Sequence, residues 1–261
     1  MSEAKFALAE KEPHHPIIVA IHETQAEHGD LGMHSHARGQ LSGIRRGLLT
    51  MGTEAGAWVV PADHAVWLPP HQAHYGYTHG AIEGWICYIA EAACTQLPDR
   101  PCTIKASGLL REAVIRAAAW EGTMMDEAQQ RIAMVILDEL RTAHVEPFNL
   151  PMPRDPRLVQ VARALLANPG ERRGMDGWAA WAGLSERTMS RRFVLETGYS
   201  YTAWRQRACL MRALEMLAEG LPVTTVAIDL GYDSVSAFIA LFKRTLGVTP
   251  SAYFGPGQPS R

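Results

Sequence analysis

The stretch WAAWAGLSERTMSRRFVLETG (residues 178–198) decides how the chain folds. It reads as a short helix, a turn at Gly183, and a second helix entered through Ser185, whose hydroxyl can accept from a first-turn N–H. Ala179 stands four residues before Gly183. A small side chain there lets two helices cross closely, and glycine permits the tight turn between them. The pattern returns in VAIDLGYDSVSAFIALFKRTLG (226–247), with Ala227, Gly231 and Ser234 in the same places. One copy would be a weak signal, since Ala and Gly are common. Two copies, with glycines 48 residues apart and the helical SYTAWRQRACLMRALEMLAEG (200–220) between them, predict paired helix-turn-helix units.

Such a unit places its second helix in the major groove of DNA. The first reading helix is predicted over about 186–196 and carries Arg187, Arg191 and Arg192. Arg187 and Arg191 are four apart and share a face. Arginine binds guanine O6 and N7 with two hydrogen bonds, so that face can read sequence. A lone basic helix face is more often simply solvated; two placed motifs favour the functional reading here. The second reading helix, over about 235–245, offers Val235, Ser236 and Ala240 at comparable positions. Lys243 and Arg244 stand at its C-terminal end and suit phosphate, while Phe238, Leu241 and Phe242 suit the core. The candidate DNA contacts are therefore Arg187, Ser190, Arg191, Val235, Ser236, Lys243 and Arg244. Hydrogen-bonded readout is expected from the first unit. The second is expected to contribute apolar contact, anchoring or shape readout.

Upstream, DPRLVQVARALLANPG (155–170) reads as a helix capped by Asp155. Before it, PFNLPMPRDP (147–156) holds four prolines and reads as a linker. SGLLREAVIRAAAWEG (107–122) and MDEAQQRIAMVILDELRTAH (125–144) have helical periodicity. In the second, Ile132, Val135, Ile136 and Leu140 are expected to form the apolar stripe, bordered by Met134 and Leu137. From Ile17 to about Ala90, short apolar runs such as PIIVAI, GAWVVP, HAVWLPP and GWICYIA are separated by Gly, Pro and Asp, which suits a sandwich or small barrel.

The chain has 261 residues and a net charge of −2, which conceals a split. Residues 1–150 carry 11 Lys and Arg against 18 Asp and Glu; residues 151–261 carry 14 against 9. All 11 histidines lie at or before His144. A basic, helical rear half and an acidic, histidine-rich front half imply two domains with different partners. No apolar run approaches the roughly 20 residues of a membrane helix. Met1 to His15 does not read as a signal peptide. Cys87, Cys94, Cys102 and Cys209 make no CxxC pair, so these cysteines indicate neither a zinc site nor a disulfide framework. A cytoplasmic setting follows as the default.

In GMHSHARGQLSGIRRG (32–47), His34 and His36 are two apart and would share a strand face. Gln40 follows four residues on, and WLPPHQAHYGY (67–77) supplies His74. The set His34, His36, Gln40 and His74 resembles the metal motifs of cupin barrels, in which Glu usually holds the place of Gln40 and Gly that of His71. Three histidines suit zinc, nickel or iron. The same residues could instead hydrogen-bond a small ligand, or only pack. His64 and His79 have no motif support. Trp58, Trp67, Tyr75, Tyr77 and Trp85 could line a pocket, although aromatics in a small β domain are more often core.

Residues from about 155 to 254 resemble the AraC family of bacterial transcription regulators, most specifically in FKRTLGVTPSAYF (242–254). The resemblance implies a seven-helix DNA-binding domain with two helix-turn-helix units, following an N-terminal cupin-like effector domain. Arg192 stands where the family usually has an apolar residue, and Ala240 where many members carry a base-contacting Arg.

The expected fold class is α+β. A flexible arm (1–16) precedes a cupin-like β-barrel sensor (17–105), a helical dimerisation segment (106–146), the linker (147–156) and an all-α DNA-binding domain (157–254). The expected function is sequence-specific transcription regulation by a homodimer on double-stranded operator DNA. A small-molecule or metal effector would control it, with RNA polymerase as the partner implied by the family. No cofactor is certain; a divalent metal in the cupin-like domain is the candidate. A metal-dependent cupin enzyme with secondary DNA binding is the alternative, disfavoured because Gln40 is no carboxylate and no general base has a supported place.

Overall fold

The structure is a computed structural model that describes residues 5, 16–25, 29–60, 64–122, 124–146 and 149–254. Apart from Lys5 and Pro16, the expected N-terminal arm lies outside the described residues, as do residues 147 and 148 of the expected linker. The chain divides into two compact units, Met1–Asn149 and Leu150–Arg261.

The first unit is an antiparallel sheet covered by two helices. Its strands are β1 (Ile18–Gln25), β2 (Asp30–His34), β3 (Gly39–Thr53), β4 (Gly56–Val60), β5 (His64–Leu68), β6 (His74–Ile89), β7 (Cys102–Lys105) and β8 (Val145–Glu146). Their order is β1-β6-β3-β5-β7-β8, with β2 also on β6 and β4 also on β3. This path is open between β1 and β8; no pairing between those two strands closes it into a barrel among the described residues. Strands β3 and β6 form the spine, paired from Gly39 opposite Ile89 to Gly52 opposite Tyr75, with register shifts around Arg46.

The sequence hid β3 because its glycines read as breaks. They are packing sites instead: a Cβ at Gly39 would lie 2.2 Å from the Trp67 indole, and one at Gly43 2.2 Å from that of Trp85. Those two tryptophans are thus buried in the core, not held open around a pocket.

Helices α1 (Gly108–Ala118) and α2 (Glu127–Thr142) pack on the sheet. Ser107 caps α1, and Asp126 with Gln129 forms a capping box on α2. The buried stripe of α2 is Ala133, Ile136, Leu137 and Leu140. This corrects the expected stripe by one position. The 3-4-7 spacing runs from Ala133, so Leu137 turns inward while Val135 stays 36% and Met134 46% exposed.

The second unit begins in β9 (Asn149–Pro151) and continues as seven helices among the described residues. These are α3 (Pro156–Ala167), α4 (Met175–Trp181), α5 (Glu186–Thr197), α6 (Tyr201–Ala218), α7 (Val223–Asp229), α8 (Val235–Leu246) and α9 (Pro250–Tyr253). Leu158, Val161, Leu165, Trp178, Phe193 and Trp204 centre the core around α3 to α6. Phe238 and Phe242 are buried beneath α8, as their spacing predicts.

Candidate functional site

Helices α4 and α5 are joined by a turn in which Leu184 N–H donates to Ala179 O (2.8 Å) and Gly183 N–H to Ala180 O (3.1 Å). Helices α7 and α8 repeat it: Tyr232 N–H donates to Ala227 O (3.0 Å) and Gly231 N–H to Ile228 O (2.9 Å). Both are glycine-terminated Schellman turns, with Gly183 at φ 64° and Gly231 at φ 75°. Ala179 and Ala227 are buried at equivalent places. Ser185 accepts from Thr188 N–H and Ser234 from Ala237 N–H, so each second helix starts on the predicted serine.

Helix α5 buries Met189, Phe193 and Thr197 on one side. Arg187 and Arg191 are both exposed and Ser190 is half-buried. On α8, Ser236, Ala240, Lys243 and Arg244 are exposed and Val235 is half-buried. Lys243 and Arg244 occupy its last turn, where cations also complement the helix dipole.

Arg192 is committed elsewhere. Its guanidinium pairs with the carboxylate of Asp155, the cap of α3. Glu196, one turn further along α5, accepts from the backbone N–H groups of Arg154 (2.7 Å) and Asp155 (2.8 Å). The unusual arginine on the reading helix therefore has a structural partner, in a clamp that the sequence reading missed.

In the first unit, β2 ends at His34 and His36 lies in the loop that follows, so the two do not share a strand face as expected. They converge nonetheless with His74, the first residue of β6. Ring centroids are 4.3 Å apart for His34–His74, 5.1 Å for His36–His74 and 6.0 Å for His34–His36. One ring nitrogen from each lies within 4.8 Å of the other two. The cluster forms because β2 pairs with β6, placing His34 opposite His74.

Each ring is oriented by its Nδ1–H, which donates over 2.7 Å to a backbone carbonyl: His34 to Gly32, His36 to Arg38 and His74 to Gln72. In neutral His34 and His74 this puts the lone pair on Nε2. His74 is 1% exposed, and its Nε2 is buried without a hydrogen-bond partner. Burial first, then the neighbouring His34 and His36, lowers its pKa to about 4, against the pull of its Gln72 hydrogen bond. Gln40 joins the group, with Oε1 2.7 Å from His36 Nε2 and Nε2 donating to Ser42 Oγ (2.8 Å). The two-residue spacing of Gln40 and Ser42 along β3 is the signal that could have placed Ser42 here.

Of the other histidines, His71 meets this set through its backbone, its N–H donating to His36 O (2.9 Å). His79 is buried and bonded to Thr50 Oγ1 (2.9 Å), which is a satisfied core histidine. His71 has φ 63°, in the left-handed region that favours glycine. Burial pushes the Cys87 thiol up to about 12 and those of Cys94 and Cys102 to about 11, so these cysteines offer no thiolate at neutral pH.

Among the described residues no helix is long and apolar enough to cross a membrane. Residues 178–255 match the family described as "Helix-turn-helix domain", which spans both units built on Gly183 and Gly231. The HTH-type transcriptional regulator NimR of Escherichia coli (strain K12) is 35% identical over 222 residues, covering 85% of this chain and 81% of the relative. The HTH-type transcriptional regulator RipA of Corynebacterium glutamicum is 37% identical over 116 residues, or 44% of this chain and 34% of that protein. The crystal structure of ToxT from Vibrio cholerae aligns with 91% of this chain and 97% of its own at 8% identity and a TM-score of 0.40. The match to NimR is longer than either compact unit, so it extends through sheet and helices alike, and the chain belongs to the AraC family of transcription regulators.

Proposed function

We propose that the protein is a cytoplasmic, sequence-specific transcription regulator and not an enzyme. Its second unit binds double-stranded operator DNA through α5 and α8. An effector bound at His34, His36, Gln40 and His74 of a cupin-like first unit controls that binding. In this reading residues 17–105 are the sensor, 106–146 the dimerisation segment, 147–156 the linker and 157–254 the DNA-binding domain. RNA polymerase is the partner through which a homodimer acts. The observation that carries the reading is the duplicated turn-and-cap geometry, with Arg187 and Arg191 exposed together on the helix that follows the first turn. Arg187, Ser190 and Arg191 address bases. Val235 and Ser236 make apolar and polar contacts, and Lys243 and Arg244 neutralise phosphates. Effector control is a population shift: a ligand that binds one arrangement better moves the equilibrium by that difference in affinity.

The test is a binding titration of the full chain on an operator selected from genomic fragments, over a salt series. Arg187→Ala or Arg191→Ala should cost about 1–3 kcal/mol on the operator and relax preference at one base position. Lys243→Ala should weaken all sequences alike and reduce the salt slope by about one. Equal loss on selected and random DNA for both arginine variants would remove them from base readout.

A further inference from the structure

The helix pairs α4–α5 and α7–α8 are joined through α6, whose 18 residues span about 27 Å. A helix holds the separation of its ends, but the turns that leave it set the angle between what hangs there. The turn between α6 and α7 runs through Gly220, at φ 87°. Among the described residues, the buried core around α3 to α6 reaches no further than Ala208 and takes in nothing from α7 or α8. A second connection runs beside α6. The loop between α3 and α4 meets the turn of the second helix pair backbone to backbone: a Cβ at Gly170 would stand 2.2 Å from Asp229 O, and one at Gly231 2.7 Å from Gly170 O. The same loop is tied to α6. Cys209 Sγ donates to Pro169 O (3.5 Å), and the Arg205 guanidinium donates to Glu171 O. Arg205 and Cys209 are four apart and share a face of α6. Tyr232 reaches that face too: burial first and then the neighbouring Cys209 raise the pKa of its phenol, against the pull of Arg205 and Arg244. Its ring packs on Phe238 of α8, with centroids 5.3 Å apart.

We propose that Gly170, Gly231, Arg205 and Cys209 form a joint that holds α5 and α8 at one separation and angle, so that the chain selects operators by the spacing of their two half-sites as well as by base sequence. This rests on the reading above that α5 and α8 enter DNA. The four are positioning residues and act through those helices. With two attachments, α6 and the loop, the second helix pair cannot swing about Gly220 without parting Gly170 from Gly231. Glycine is what lets the two backbones come this close, and backbone contact yields less than contact between the ends of long side chains. One side of the duplex presents its major groove every 10–10.5 base pairs or so. Inserting one base pair therefore turns the second half-site by roughly 35° around the axis. A reader with a fixed angle must then twist the DNA or give up one helix, and either costs affinity. A reader hinged only at Gly220 would follow the shift.

The test uses the full chain and an operator selected from genomic fragments, with its two protected segments mapped by hydroxyl-radical footprinting. One base pair is then inserted or deleted between the segments. The parent should lose on the order of tenfold in affinity on either altered operator. Gly170→Ala is the wedge. Its backbone lies outside the left-handed region, so the added methyl acts by pushing on the Asp229 carbonyl and not by straining its own residue. This variant should bind the original operator more weakly, while its penalty for altered spacing shrinks severalfold. Arg205→Ala should do the same from the other side of the loop. Arg205→Lys, which can still donate to Glu171 O, should restore part of the parent's spacing preference. Residues that only support the fold would weaken every operator alike and leave the spacing profile unchanged. A parent indifferent to spacing, or folded variants that keep the parent's profile, overturns the joint. If Gly170→Ala melts below the assay temperature, the two Arg205 variants decide. A parent that binds no selected fragment overturns the regulator reading instead.

Discussion

Asp155 carries more of the second unit than its role as a cap requires. Its carboxylate is 5% exposed and receives Arg157 Nη2 (2.9 Å), Arg157 Nε (3.1 Å) and the Arg157 backbone N–H (2.9 Å), besides Arg192. The Arg157 hydrogen bond is the main cause holding the acid far below the usual carboxylate range, and burial only partly opposes it. A depressed folded pKa means that the ionised form stabilises the fold above the unfolded value of about 3.9 and that this contribution is lost as pH falls below it. Asp155→Asn should therefore lower stability by about 1–3 kcal/mol at pH 7, read from urea unfolding. Its difference from the parent should shrink below about pH 4; a difference that stays constant into acid would mean that the charge is not what matters. The sequence advertised half of this. Arg192 stood out as a charged residue in an apolar place, but its partner lies 37 residues away, and nothing local links the two.

At the scale of elements, the helix-turn-helix pair was legible because its signals are local. Alanine, glycine and capping serine recur at fixed offsets, and the helices start where those serines are. The two turns are nevertheless not equal. At Gly183 a Cβ would meet nothing within 4 Å, so only the left-handed backbone demands glycine. At Gly231 a Cβ would also lie 2.7 Å from Gly170 O, because the turn after α3 packs directly on it. Gly183→Ala should cost about 1–2 kcal/mol for the backbone alone, and Gly231→Ala distinctly more. Thermal unfolding of both variants checks the ranking, and equal losses would mean that the Gly170 contact gives way freely. The β unit was less legible because its signals are long-range. Gly39 and Gly43 look like breaks until Trp67 and Trp85 arrive over them from other strands. For the same reason the spacing of His34 and His36 suggested a shared strand face, whereas their convergence on His74 depends on the pairing of β2 with β6.

For the whole molecule, charge and exposed apolar surface differ between the two units. The acidic half leaves Met134 and Val135 exposed on α2, opposite the stripe that covers the sheet. If that side joins two copies, light scattering of the full chain should give a dimer. Met134→Glu combined with Val135→Glu should give monomers with nearly unchanged melting, since exposed substitutions usually alter stability by under about 0.5 kcal/mol. A monomeric parent protein would rule this face out.

The clamp between Asp155 and α5 has a mechanical consequence. Residues 150–155 are fastened to the second unit before its first helix begins: Leu150 is in its core, Pro151 O accepts from the Trp204 indole, and the N–H groups of Arg154 and Asp155 end on Glu196. Tension on the chain at its entry to this unit is therefore delivered straight to the helix that carries Arg187 and Arg191. The lead-in at residues 150–155 is thus a drawbar hitched to that helix, and the hydrogen bonds to Glu196 meet a pull alongside the packing of Leu150.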